Sequence, residues 1–309
     1  MQAKLQHRPR TYYEVKRYLL VAWKPLHPLS VHAITRRHVA ARVTELTAAC
    51  GATSAVRARV WLSAMFNWAI REGLDIPANP VLGTNRPAGG GPRKRTLTDD
   101  ELRLVWTACG DDDYGRIIRV LILTAQRREE IGGLRWSEIA ASVDGATPLP
   151  LATLRLPPER VKNKQEHLLP LSLMALAKLP PRREGNAFVF GNRGFSTSWS
   201  REKGALDRRI AVAGSRLAPW TVHDIRRTVA TRMADKLGVM PHIIEAILNH
   251  ISGHKSGVAG VYNLALYERE MRSALCAWAD HVAALVGPTS ATIPRHNLPC
   301  VLIGVTTSS

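Results

Sequence analysis

Four short stretches hold residues whose types and spacing suit chemistry on a charged oxygen-rich group. In LILTAQRREEIGGLRW, residues 121–136, an apolar run breaks at Arg127, Arg128, Glu129 and Glu130 and resumes at Leu134 and Trp136. RVKNKQEHLLPLS places Lys162 and Lys164 in a turn between two apolar alternations, and TVHDIRRTVATRM puts His223 and Arg226 on one helical face ahead of Val229 and Met233. ILNHISGHKSGVAGVYNLALY adds His250 and Tyr262. Taken singly, each has a bland reading as an ion pair, a solvated turn, a structural histidine or a core tyrosine. Taken together, they supply what metal-free cleavage of a phosphodiester requires. Two guanidinium groups can neutralise the non-bridging oxygens, a tyrosine can attack, a lysine can protonate the departing oxygen, and histidines can manage protons. Glu130, three residues beyond Arg127, is spaced to hold that arginine in place.

These side chains need a scaffold, and the pattern is mainly α with a small β-sheet, an α+β class. Residues 11–76 read as helical, with Thr35 and Thr53 as start signals. Within AVRARVWLSAMFNWAIREG the apolar Trp61, Met65 and Trp68 recur at helical spacing and predict core packing, while Arg57, Arg59 and Arg71 around them predict DNA contacts. Residues 76–95, IPANPVLGTNRPAGGGPRKR, lose all periodicity and close on Arg93, Lys94 and Arg95, a basic tether able to lie along a phosphate backbone. A second domain opens at TLTDDEL, where Thr98 and Glu101 fit a capping box. A long helix through Tyr114 to Ala125 follows, then strands over Leu151 to Pro157 and His167 to Ser172, and helices again from Thr221 to about Val286. In the last of these, Met271, Leu275, Trp278, Val282 and Leu285 form an apolar stripe that must pack on its own domain or interlock with a neighbouring protomer. The boundaries are therefore 1–10 as a disordered or remnant N-terminus, 11–82 as a helical DNA clamp, 83–95 as linker, 96–287 as the catalytic domain and 288–309 as an unstructured tail.

The charge balance points to a polyanionic partner. The 309-residue chain carries 43 basic against 25 acidic residues, a formal net charge of +18, with residues 1–95 alone holding 16 against 4. Cys50, Cys109, Cys276 and Cys300 stand singly, without the spacing of a disulfide framework or zinc site. His254 lies four residues from His250, yet no cysteine or acid completes a ligand set, so neither metal nor cofactor is expected. No apolar run is long enough for a membrane span, and the first 23 residues lack a signal-peptide centre. These features predict a cytoplasmic, nucleoid-associated protein.

With these motifs in order, the chain resembles the tyrosine recombinase, or phage integrase, family, in particular its prophage and genomic-island branch. The family's T-G-x-R-x-x-E-[LI]-x-x-L-x-W appears as TAQRREEIGGLRW, its hairpin lysine falls in RVKNKQEHLLPLS, H-x-x-R falls on His223 and Arg226, L-G-H on LNH and V-Y-N on Tyr262. RYLLVAWKPLH, FNWAIREG, NPV and ALCAWADHV extend the likeness, which covers residues 11 to about 286. The resemblance implies a helical core-binding domain followed by a catalytic domain. It implies a site-specific recombinase that integrates or excises a mobile element through a 3′-phosphotyrosyl intermediate.

On this resemblance Arg127, Lys162, His223, Arg226, His250 and Tyr262 are the catalytic set, with Glu130 supporting. Arg127 and Arg226 hold the phosphate, Tyr262 attacks, His223 handles protons, His250 hydrogen-bonds the phosphate and Lys162 is the general acid, with Lys164 in reserve. Tyr267 competes as nucleophile, but five residues apart on a helix the two rings point about 140° away from each other. Arg57, Arg59, Arg93, Lys94, Arg95, Lys164 and Arg227 are expected to contact DNA, and Arg128 and Arg227 can equally be structural. The partners implied are double-stranded attachment sites, a homotetramer in the synaptic complex formed from free monomers, and accessory DNA-bending or excision factors. The family glycines are Ala125 and Asn249 here, which adds side chains where backbone is expected to approach DNA. The chain also starts near the point where many relatives are preceded by a small arm-site-binding domain, as a minimal or truncated member would. Two rival functions share these residues, namely topoisomerase IB-like relaxation and DNA binding without chemistry.

Overall fold

The structure is a computed structural model, and it describes residues 9–88, 94–142, 151–195, 198–250 and 267–287. Arg93, His254, Tyr262, Cys300 and the tail after residue 287 lie outside the described residues. The chain divides into two compact units, Met1–Lys94 and Arg95–Ser309.

The first unit is helical. Its main elements are α1 (Pro9–Arg17), α2 (Arg36–Cys50) and α3 (Ala52–Arg71). Thr35 caps α2 through its hydroxyl, and Gly51, the single residue between α2 and α3, has φ +80°, a conformation that favours glycine. That glycine is the cap of α3, so the start signal expected at Thr53 falls one residue inside the helix. The core face of α3 is Ala55, Ala58, Leu62, Phe66 and Ala69, at steps of three, four, four and three. This corrects the stripe expected from the tryptophans. Trp61 and Met65 flank the core and Trp68 is 43% exposed, because the small Ala55 and Ala58 let neighbours approach the helix closely on the other face. Trp23 uses that closeness, donating its indole N–H to the carbonyl of Ala58 at 2.9 Å.

Two arginines expected on DNA are engaged within this unit. Arg59 donates Nε to the Thr84 hydroxyl at 2.8 Å and Nη2 to the carbonyls of Val81 and Thr84 at 3.1 Å each, so it fastens the turn after α3. Arg57 pairs with Glu14 of α1 at 2.5 Å, on the surface. Lys94 is exposed.

The second unit places a three-stranded antiparallel sheet beside a helical core. Helix α4 (Asp99–Ala108) starts with the expected box, Thr98 and Glu101 each bonding the other's backbone N–H. Arg95, also expected on DNA, pairs its guanidinium with Glu101 and with the carbonyl of Thr96. The next helix, α5 (Asp113–Thr124), buries nine of its twelve residues and keeps Asp113, Arg116 and Arg119 half-buried at its edge, as an amphipathic helix near the centre of a domain does. The short α6 (Arg128–Gly132) precedes β1 (Ile139–Ser142), which the sequence pattern did not disclose. It pairs with β2 (Leu151–Leu156), and β2 pairs with β3 (His167–Leu171), where Leu156 faces His167 across the ladder. The last two are the expected strands flanking the Lys-Asn-Lys turn.

The remaining helices are α7 (Leu173–Leu176), α8 (Trp199–Val212), α9 (Val222–Leu237), α10 (Pro241–Leu248) and α11 (Glu268–Val286). Met271, Leu275, Trp278 and Val282 of α11 are all buried, and the Trp278 indole donates to the carbonyl of Ile122 in α5 at 2.7 Å. Of the two partners expected for this stripe, it packs on its own unit. No helix among the described residues is long and apolar enough to cross a membrane.

Candidate active site

The site begins where two helices end. Helix α5 stops at Thr124 and Ala125 takes the left-handed conformation, φ 54° and ψ 23°; α10 stops at Leu248 and Asn249 does the same, φ 48° and ψ 47°. These are the two positions where the family pattern carries glycine, and the left-handed backbone is a sufficient physical reason for it. For Ala125 the departure costs about 1–2 kcal/mol, whereas asparagine visits this region more readily.

Each of these ends leaves carbonyls free, with the partial negative charge of a helix C-terminus. Arg226, in the first turns of α9 and only 4% exposed, reaches both. It donates Nη1 to Ala125 and Nη2 to Leu248, so a single guanidinium ties α5, α9 and α10 together. Arg127 stands just before α6 and donates Nη2 to the next carbonyl along, Asn249, at 3.5 Å.

Glu130 fixes Arg127 twice. One carboxylate oxygen accepts the Arg127 backbone N–H at 3.0 Å and the other accepts Nη1 at 2.8 Å, with Glu130 itself 3% exposed. The pairing expected from the sequence holds, but as a helix cap rather than as two residues along one helix face.

Electrostatics follow from this crowding. Burial, then the like charge of Arg127, pushes the Arg226 guanidinium down to about 10, so it stays cationic at neutral pH. His223 is held below the usual histidine range by burial first and then by Arg227, Arg226 and Arg127. His250 is lowered by burial and then by Arg226 and Arg127, and it also feels His223. Arg127, Arg226, His223 and His250 thus form one mutually interacting cluster, with both imidazoles biased towards the neutral form.

The basic turn reaches the same place. Asn163 donates Nδ2 to Asn249 Oδ1 at 2.6 Å and to the Asn249 carbonyl at 3.4 Å, which brings the turn carrying Lys162 and Lys164 to the end of α10. Both lysines are exposed, and Lys164 has φ +56°. Arg227 takes the structural role that was open to it, pairing at 2.5 Å with Asp224, the fully buried acid that caps the start of α9. Arg128 leans over the Trp199 ring. Tyr267 is the left-handed cap preceding α11 with its ring 5.1 Å from that of His242.

Several supports were not foreseen. Gln126 is buried, donating to the carbonyls of Thr124 and Ile247 at 2.8 Å each, while its side-chain oxygen meets His167 Nε2 at 3.1 Å. Arg160 pairs with the buried Glu138 and donates to the Glu130 carbonyl at 2.7 Å. Only Arg160 had a sequence signal, as one more cation beside the lysine turn.

Residues 95–263 match the model of the phage integrase family, which is more than half of the chain. The chain belongs to that family. Among curated relatives, prophage integrase IntZ of Escherichia coli K12 is 32% identical over 172 residues, and prophage integrase IntA of the same organism is 29% identical over 166. These alignments take in 55% and 53% of the chain but only 39% and 37% of those proteins, so the chain spans about two fifths of their length. Among solved structures, a lambda integrase tetramer bound to a Holliday junction aligns with a TM-score of 0.63 at 22% identity, covering 83% of this chain and 76% of that one. The Tn1549 transposon integrase in complex with circular intermediate DNA aligns at 0.57 and 16%, covering 84% and 91%. The integrase fold of this family member is therefore shared with proteins of low sequence identity.

Proposed function

We propose that the chain is a site-specific DNA recombinase that cleaves and rejoins DNA through a 3′-phosphotyrosyl ester. The observation that carries this reading is the pair of adjacent guanidinium groups at Arg127 and Arg226. Both are held by helix-end carbonyls, and Glu130 is the single carboxylate seen to pair with either among the described residues. Two neighbouring cations, one of them nearly buried, repel each other unless an anion sits between them. A backbone phosphate in transit between tetrahedral and pentacoordinate forms is such an anion.

In the proposed reaction the Tyr262 hydroxyl gives its proton to neutral His223 while its oxygen attacks phosphorus. The 5′ oxygen leaves with a proton from Lys162. His250 donates a hydrogen bond to a non-bridging oxygen. The bond broken and the bond formed are both phosphoesters, so rejoining by another 5′ hydroxyl needs no external energy source. Four protomers on two duplexes are the proposed assembly, supported by the shared fold of the tetrameric lambda integrase complex. The free protomer is read as a monomer, the first unit as a DNA clamp, and accessory bending or excision factors as the source of direction. The working place is the nucleoid.

The test is a nicked duplex carrying the junction sequence that borders the mobile element, incubated with the protein in the presence of a chelator. A denaturant-resistant protein–DNA band is the expected result. Its absence at every junction sequence would remove the reading.

The histidine shifts make a pH prediction. Because burial and the arginines hold both imidazoles below 6.5, they remain neutral at pH 7. Cleavage at limiting protein, which reports the free enzyme, should stay flat from pH 8 to about 6.5 and decline only below that. The sign for stability agrees. The unfolded chain binds these protons first as pH falls, so the contribution is complete above 6.5 and is lost on the way down to the folded values. A decline beginning above pH 7 would contradict the assignment.

A further inference from the structure

We propose that Asn163 and Asn249 form a latch that positions Lys162 for protonating the departing 5′ oxygen. The proposal rests on the recombinase reading above. Asn249 is the node at which three parts of the site meet. Its carbonyl accepts from Arg127 at 3.5 Å and from Asn163 at 3.4 Å, and its side chain exchanges hydrogen bonds with Asn163 in both directions, at 2.6 and 3.5 Å. His250 follows it directly. With 6% of its surface exposed, the Asn249 amide is a buried polar group that needs this partner.

Asn163 also shapes the turn it docks. Its Oδ1 accepts the Gln165 N–H at 3.3 Å, and the Lys164 N–H bonds the Val161 carbonyl at 3.4 Å around the left-handed Lys164. Val161 is fully buried, while Lys162 and Lys164 on either side of Asn163 are exposed. A lysine stem has four rotatable bonds and a point charge at its tip, so where its ammonium can act depends on how firmly its Cα is held. The amide pair holds that Cα to the carbonyl that also holds Arg127. A glycine at 249, as in the family pattern, would suit the backbone at least as well and leave Asn163 without its side-chain partner. The departure from the pattern therefore has a structural use in this chain, and the two asparagines are positioning residues that act through Lys162.

Substituting sulfur at the 5′ bridging position separates positioning from general damage. A thiol has a pKa near 8.5, so a thiolate departs without a proton and Lys162 is not needed. Single-turnover cleavage would be measured for the wild type, Asn249→Gly, Asn163→Ala and the double variant on both substrates. On the ordinary phosphodiester each single variant should be slower by about tenfold to a hundredfold, and the double variant no slower than the worse single, as for two halves of one contact. On the sulfur substrate all four should react alike. Equal slowing on both substrates, or an unslowed Asn249→Gly, overturns the proposal. Amide exchange over residues 162–166 in the DNA-free protein gives a readout independent of the chemistry. Faster exchange in both single variants supports the latch, and unchanged protection overturns it. A wild type that cleaves neither substrate would remove the recombinase reading, and exchange would still decide the latch.

Discussion

Replacing Arg226 with alanine is expected to lower DNA cleavage by about a hundredfold to a thousandfold, the range for losing one preorganised donor to a developing oxyanion. It should also weaken the second unit, because the carbonyls of Ala125 and Leu248 lose the donor that joins them. Each buried acceptor left bare costs about 1–3 kcal/mol, partly offset by relief of repulsion with Arg127. Arg226→Lys separates the two effects. An ammonium restores the charge, but as a point donor it cannot span two helix ends and still present a fork to phosphate. Lysine should therefore recover part of the thermal stability and little of the cleavage. Melting curves and single-turnover rates for both variants check this, and near-normal cleavage by the lysine variant would deny Arg226 a bidentate phosphate role.

Removing one oxygen from Tyr262 should abolish the covalent protein–DNA product altogether. Tyr262→Phe keeps the ring and loses the nucleophile, so binding to the attachment site, measured by mobility shift, should match the wild type while no denaturant-resistant band forms. The rival hydroxyl is five residues on. Tyr267 lies partly buried with its ring beside His242, before α11, whose stripe is locked into the core. A nucleophile must be free to approach and leave phosphorus in line, which suits that position poorly. A band persisting in Tyr262→Phe and vanishing in Tyr267→Phe would transfer the role.

Net charge led to Arg59, Arg95 and Arg227 as DNA contacts, yet each donates to partners within its own unit. Loss of any of these three would be felt first as instability of its own unit. Lys94 and Lys164, by contrast, are exposed.

Much of this molecule was legible in the sequence because the signals were local. A capping box, an alternation of period two and a helical stripe are each written within a dozen residues, and they disclosed the start of α4, the strands β2 and β3, and the buried face of α11. The resemblance brought the separated motifs together, because residue types in a set order survive without coordinates. Other features depended on contacts between residues far apart in sequence. Nothing local marks Arg226 as the bridge between two helix ends, Gln126 as the link to His167, or Asn163 as the partner of an asparagine 86 positions later. The face that α3 turns inward was decided by packing, since small alanines beside a tryptophan admit a neighbouring element more closely than a ridge of large side chains would. Local patterns reflect backbone preference and amphipathicity, which nearby residues set; which polar groups meet is settled when distant segments close around one core and must pair or stay in water.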